Sequence, residues 1–182
     1  MSGKSNSEAW YAAGDPWKLV RKGWAPEEFN YCESVFTQSN GYMGFRGYRE
    51  EFDNASPTIR EGYLGGVFAD LTPFSRELVI HDYPWPSRQM VALPEIFSAW
   101  ILLDGEAFSL QLGEIVSYEH ALNMRNGVAE RTVVWTLNER TTKLKFTRFL
   151  SAANVHLAVQ KIEIEPVNWS GNVKIVWDYD IS

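Results

Sequence analysis

The chain has 182 residues, 45% hydrophobic and 22% charged, with a formal net charge of −6. That balance is one of a folded globular chain, and a net negative charge without any basic run speaks against a nucleic-acid surface. No apolar run approaches the roughly 20 residues of a membrane helix, and the polar start Met1-Ser2-Gly3-Lys4 has no apolar signal core. A cytoplasmic protein is expected, with Cys32 as the single cysteine and no internal disulfide.

Residues 1–9 read as a flexible tail. From Trp10 to Phe29, three tryptophans (Trp10, Trp17, Trp24) alternate with Gly, Pro and charged residues. Pro26-Glu27-Glu28 predicts a short helical turn, with Pro at its first position and acids at its positive end. Gly41, Gly44 and Gly47 then recur every third residue, with aromatics, Met and Arg between them. Each glycine in a helix interior costs about 1 kcal/mol against Ala, so this stretch is expected to be extended and tightly turned. Asn40-Gly41 marks the turn, and the glycines let other backbone approach closely. Residues 52–59 read as a polar loop, and Gly62 to Phe68 as a second glycine-aromatic segment.

From residue 96 the period becomes that of strands. Phe97, Ala99, Ile101 and Leu103 alternate with Ser98, Trp100 and Leu102; Phe108, Leu110 and Leu112 alternate with Ser109 and Gln111. The intervening Asp104-Gly105 predicts a hairpin. A second hairpin is expected between Val128–Leu137 and Thr142–Leu150, joined by residues 138–141. Val155 to Ile164 reads as a strand whose parity slips, which calls for two covered faces or a bulge near Gln160 and Lys161. The last predicted strand, Val173 to Ile181, alternates cleanly and should have one buried and one wet face. Short strands separated by regular turns point to an all-β antiparallel sandwich with at most short helical turns.

Several stretches also resemble a known family. Glu33-Ser34-Val35-Phe36, Asn40-Gly41-Tyr42-Met43-Gly44, Arg46-Gly47 and Glu50-Glu51 resemble the opening signature of glycoside hydrolase family 65, the disaccharide phosphorylases and related trehalases. Glu77-Leu78-Val79 with Tyr83-Pro84-Trp85, Leu122-Asn123-Met124-Arg125-Asn126-Gly127 and Arg148-Phe149-Leu150-Ser151 follow in family order. Asn123 stands where the family has Asp. The resemblance implies a galactose-mutarotase-like supersandwich, left incomplete, occupying residues 10–182. It implies a parent with an (α/α)6 barrel that holds the catalytic Glu and the phosphate site, absent from these residues. The partners so implied are that barrel, an α-glucosyl disaccharide, inorganic phosphate and a second copy in a homodimer. The expected role is to brace the barrel and support dimerisation; the alternative is a free-standing carbohydrate-binding module.

Inverting glycoside chemistry needs an acid and either a second carboxylate or a phosphate site. The carboxylate pairs are Glu27-Glu28 and Glu50-Glu51. Neighbours along a strand point to opposite faces, so neither pair is expected to converge on a substrate; surface charge or loop hydrogen bonding is expected instead. Glu33, Arg46 and Glu50 are expected to form buried ion pairs that lock the glycine segment, because buried charges need partners. Arg46 is expected to pair with Glu33 or Glu50 and to donate to backbone carbonyls. His81, His120 and His156 lack ligand spacing, and Cys32 reads as a small core residue. Trp100, Trp135 and Trp177 sit at strand parity as core or interface residues, and Trp85 is the aromatic expected to be exposed. No catalytic, cofactor or metal residue is therefore assigned, and the chain alone is expected to be inactive.

Overall fold

The computed structural model describes residues 10–12, 14–52, 62–71, 79–80, 83–84 and 87–177. The tail, the 52–59 loop beyond Phe52, Glu77-Leu78, His81, Trp85, Tyr179 and Ile181 lie outside them. The fold is antiparallel and mostly β, as expected. One sheet has six strands in the order β1 (Trp10–Ala12), β2 (Lys18–Lys22), β11 (Glu114–Asn123), β12 (Val128–Leu137), β13 (Arg140–Leu150) and β14 (Ala158–Pro166). A three-stranded sheet of β10 (Glu106–Ala107), β9 (Trp100–Leu103) and β15 (Val173–Val176) packs over its inner face. A four-stranded sheet orders β3 (Gln38–Ser39), β4 (Met43–Phe45), β5 (Gly62–Leu71) and β8 (Ser87–Leu93), and β6 (Val79–Ile80) pairs with β7 (Tyr83–Pro84).

Both hairpins form, for local reasons. Asp104 and Gly105 have φ of 53° and 90°, and Asn138 and Glu139 have 49° and 63°. Two successive positive φ angles twist in the sense the strands need. The second loop is therefore two residues long, not four, because Leu137 pairs directly with Arg140. The arm after Gly105 stops at Ala107, and Phe108 and Leu110 leave the strand yet enter the core. That core joins Ile101, Leu103, Phe108 and Leu110 to Val133, Trp135, Leu144 and Phe146 of the large sheet. Burying each such side chain is worth roughly 1.5–3 kcal/mol, which accounts for the sandwich closing here.

Two strand expectations are corrected. The parity slip between Val155 and Ile164 needs neither two covered faces nor a bulge. β14 starts only at Ala158 and pairs with β13 without interruption to Pro166, so Val155 and Leu157 belong to the preceding turn. Ile162 and Ile164 then face the core. In the described part of the last strand the expected face is not buried: Val173 is 43% exposed and Trp177, just past β15, 44%. β15 ends the order of its sheet, hydrogen-bonded to β9 alone among the described residues, so its side chains are covered from one side only.

The Pro26–Glu28 turn is a 3-10 turn that continues into the helix α1, Phe29–Val35. Phe29 and Glu33, four residues apart, share its buried face. This helix end anchors the segment that follows.

Candidate functional site

The glycine segment docks on the C-terminal end of α1. Gly47 N–H donates to the Glu33 carbonyl at 2.7 Å. A side chain at Gly47 would place its Cβ 2.6 Å from Phe36 Cβ and 2.9 Å from the Phe36 carbonyl oxygen. The close approach expected of the glycines is met here. At Gly44 the same test gives an ordinary 3.6 Å contact. Asn40 makes the expected turn, its Oδ1 accepting from the backbone N–H of Tyr42 and Met43.

Beneath the segment lies a layer of buried charge. Arg131 reaches both Glu50 and Glu51. Its Nε donates to Glu50 Oε2 at 2.9 Å, its Nη1 to Glu51 Oε1 at 3.2 Å, and its Nη2 to Glu51 Oε2. All three side chains are at most 3% exposed. Arg131 also lies 4.3 Å above the Phe146 ring, a cation–π arrangement. Burial works against its charge, but Glu51 and Glu50 outweigh that and hold it more firmly protonated than usual. Arg148 clamps the segment's backbone, donating from Nη1 to the Tyr48 carbonyl at 2.9 Å and from Nη2 to the Arg46 carbonyl at 3.3 Å. Gln38 fixes Arg148 from the side, accepting from its Nε at 3.0 Å.

The buried ion pair expected of Glu50 forms, and the expectation of surface charge for the Glu50-Glu51 pair is overturned. The two carboxylates are buried and converge on one guanidinium, because residues 46–50 are not a regular strand and the alternation rule does not apply to them. Glu27 is exposed as expected, and Glu28 pairs with Arg21 at 2.9 Å. Arg46 does meet Glu33, at 3.7 Å, but is 24% exposed and donates to Asn30 O and Ser34 Oγ. Arg46 thus makes the expected contacts with Glu33 and a backbone carbonyl, while the deeper clamp, on the Tyr48 and Arg46 carbonyls, belongs to Arg148. Glu50 pairs with Arg131 instead of Arg46.

Arg131 and Arg148 are the residues missed from sequence. The signal was present: Ala129, Arg131, Val133 and Trp135 alternate in phase, as do Thr142, Leu144, Phe146 and Arg148. An arginine on the apolar phase of a strand faces the core and demands a buried carboxylate. Of the tryptophans at strand parity, Trp135 is in the core, Trp100 packs on Phe52, and Trp177 is exposed.

His120 stacks on Phe36 with ring centroids 3.7 Å apart, and His156 meets the edge of Tyr42. Burial first, then the nearby Arg148 and Arg131, hold His120 well below the ordinary value of 6.5. Below that pH the unfolded chain binds a proton that the fold refuses, so stability falls as pH drops through about 6.5. Urea midpoints on either side of that pH should show this slope, and His120→Gln should flatten it. Cys32 is half-buried beside Phe36 and Leu122, and burial pushes its thiol up to about 11, away from reactivity.

On the outer side, the segment and β5–β8 form an open groove of about 390 Å³ lined by Tyr42, Met43, Phe45, Tyr63 and Met90, among others. Phe68, the cross-strand partner of Met90, adds exposed apolar surface beside it, with Phe68 52% and Met90 44% accessible. The charge layer therefore stiffens a glycine segment whose outer face is open and apolar.

The N-terminal domain profile of glycosyl hydrolase family 65 matches residues 19–181. The chain belongs to this family. The family 65 chain is 39% identical to kojibiose phosphorylase of Halothermothrix orenii, over 81% of its own length and 17% of the relative's. It is 34% identical to α,α-trehalose phosphorylase of Geobacillus stearothermophilus, over 79% of its length and 19% of that protein's. It thus spans under a fifth of these relatives. A solved structure from the human microbiome, provisionally assigned as a kojibiose phosphorylase, has the same fold. The TM-score is 0.74 at 21% identity, covering 86% of this chain and 21% of the other.

Proposed function

We propose that this family 65 domain is a non-catalytic N-terminal sandwich that braces the catalytic barrel of an inverting α-glucosyl disaccharide phosphorylase and supports its dimerisation. The observation that carries this is the open apolar groove over the glycine segment, on a chain that spans 17–19% of phosphorylase relatives. The occupant is the barrel portion of such a protein, whose surface would cover Phe68 and Met90. The Glu50-Glu51 pair supports the non-catalytic part, since both carboxylates are committed to Arg131. The edge of β15 that no strand covers among the described residues, beside exposed Trp177, supports pairing between two copies.

The test is complementation. A form of the Halothermothrix orenii kojibiose phosphorylase lacking the matched stretch is mixed with this chain, and glucose 1-phosphate is assayed. Activity restored by the chain, weakened by Phe68→Asp with Met90→Asp, and absent from the chain alone is the expected result. Turnover by the chain alone, or restoration indifferent to the two aspartates, would overturn the reading. Sedimentation of wild type and Trp177→Ser tests the dimer seam.

A further inference from the structure

A second cavity lies at the Leu137–Arg140 end of β12 and β13, away from the charge layer. The turns at Asp104-Gly105, Asn138-Glu139 and Trp169–Gly171 border about 270 Å³ of space, with Trp135 and Trp169 in its wall and Asp104, Glu106, Asn138 and Arg140 contributing polar groups. This is near the lower end of small-molecule pockets, roughly 300–1,000 Å³, and suits about one sugar ring.

The cavity's parts are held in place by one another. Arg140 Nη1 donates to Asp104 Oδ2 at 2.9 Å, and Asp104 N–H to the Asn172 carbonyl at 2.7 Å. Trp169 Nε1 donates to Thr142 Oγ1 at 2.9 Å. Asn168 joins two turns, accepting from Thr141 N–H at 2.7 Å and donating to the Glu139 carbonyl at 2.9 Å. A Cβ at Gly171 would come within 2.9 Å of Asp104 Cγ and 3.0 Å of Trp169 Cζ3. The bare glycine therefore lets the carboxylate and the indole close on the same point. The side chains of Arg140 and Asp104 remain 49% and 36% exposed, and a guanidinium carries five donors.

We propose that this cavity binds one neutral hexopyranose ring, free or at the end of an oligosaccharide. The apolar C–H face of the ring packs on Trp169, and adjacent hydroxyls donate to Asp104 and accept from Arg140. An anionic ligand is disfavoured by the two carboxylates, Asp104 and Glu106. A hydrophobic ligand is disfavoured by the polar rim. The site needs neither barrel nor turnover, so failed complementation leaves it standing, and its own failure leaves the bracing role untouched.

The test titrates the ¹⁵N-labelled chain with glucose, maltose and maltotriose, following the indole N–H resonances of Trp169 and Trp135. Saturable shifts with a Kd on the order of 1 mM are expected for at least one sugar. Arg140→Ala and Asp104→Asn, both at exposed positions, should each weaken binding about tenfold, while Trp17→Ala should not. Binding of glucose alone supports a single-ring site; binding of maltotriose alone supports a chain-end site. No saturable shift with any of the three sugars, or a Kd unchanged in both Arg140→Ala and Asp104→Asn, would overturn the proposal.

Discussion

Replacing Arg131 by methionine should cost about 3–5 kcal/mol, the range for stripping one partner from a buried ion pair. Methionine keeps much of the volume over Phe146 but leaves Glu50 and Glu51 in a site that is at most 3% exposed. In a domain of this size each kcal/mol shifts the melting temperature by roughly 2–4 °C, so a fall of about 6–20 °C is expected. Arg131→Lys should recover only part of it. An ammonium keeps the charge but lacks the planar fork that meets both oxygens of Glu51 and still reaches Glu50. The triple change Arg131→Met, Glu50→Gln, Glu51→Gln should be milder than the single one, because it removes buried carboxylates left to the more distant Arg49, 3.6 Å from Glu51, and Arg148, 3.9 Å from Glu50. A melting temperature for Arg131→Met within a few degrees of wild type would show that water reaches the layer.

Gly47→Ala is the second large effect. Its Cβ would enter within 2.6 Å of Phe36 Cβ and 2.8 Å of the Phe36 backbone carbon. Phe36 is fully buried and stacked on His120, and Gly47 N–H is tied to the end of α1. Neither side has room to retreat. Overpacking of this kind costs about 1–3 kcal/mol, measurable as a drop in the urea midpoint. Gly44→Ala, which meets nothing nearer than 3.6 Å, is the control and should change little. Equal losses at the two positions would mean that the segment's glycines act through chain flexibility and not through close packing.

The two hairpins were legible because their information is local: a residue pair tolerant of positive φ between alternating arms. The neighbours of the large sheet were not, since β2 pairs with β11 across about a hundred residues, and no local pattern encodes that. The charge layer was half legible. Glu33, Arg46 and Glu50 stood out as charges inside a glycine-aromatic stretch. Arg131 and Arg148 are a different case, lost in the apolar phase of strands read only for their hydrophobic members. Glu51 was misplaced because the alternation rule was carried into backbone that is not a strand. Val155 and Leu157 misled for the converse reason, as apolar turn residues that imitate a strand's continuation.

The layer also has a history within each molecule. Glu50 and Arg131 are 81 residues apart, and Tyr48 and Arg148 are 100 apart. Such distant contacts close late, after neighbouring hairpins such as β12–β13 have formed. During synthesis at about 5–20 residues per second, the 81-residue separation makes the carboxylates wait roughly 4–16 s for their guanidinium. Through that interval Glu50 and Glu51, with Arg46 and Arg49, keep charge and water beside Tyr42, Met43, Phe45 and Tyr48. The same two groups that anchor the finished core therefore serve, earlier, as gatekeepers that keep a sticky nascent segment in water.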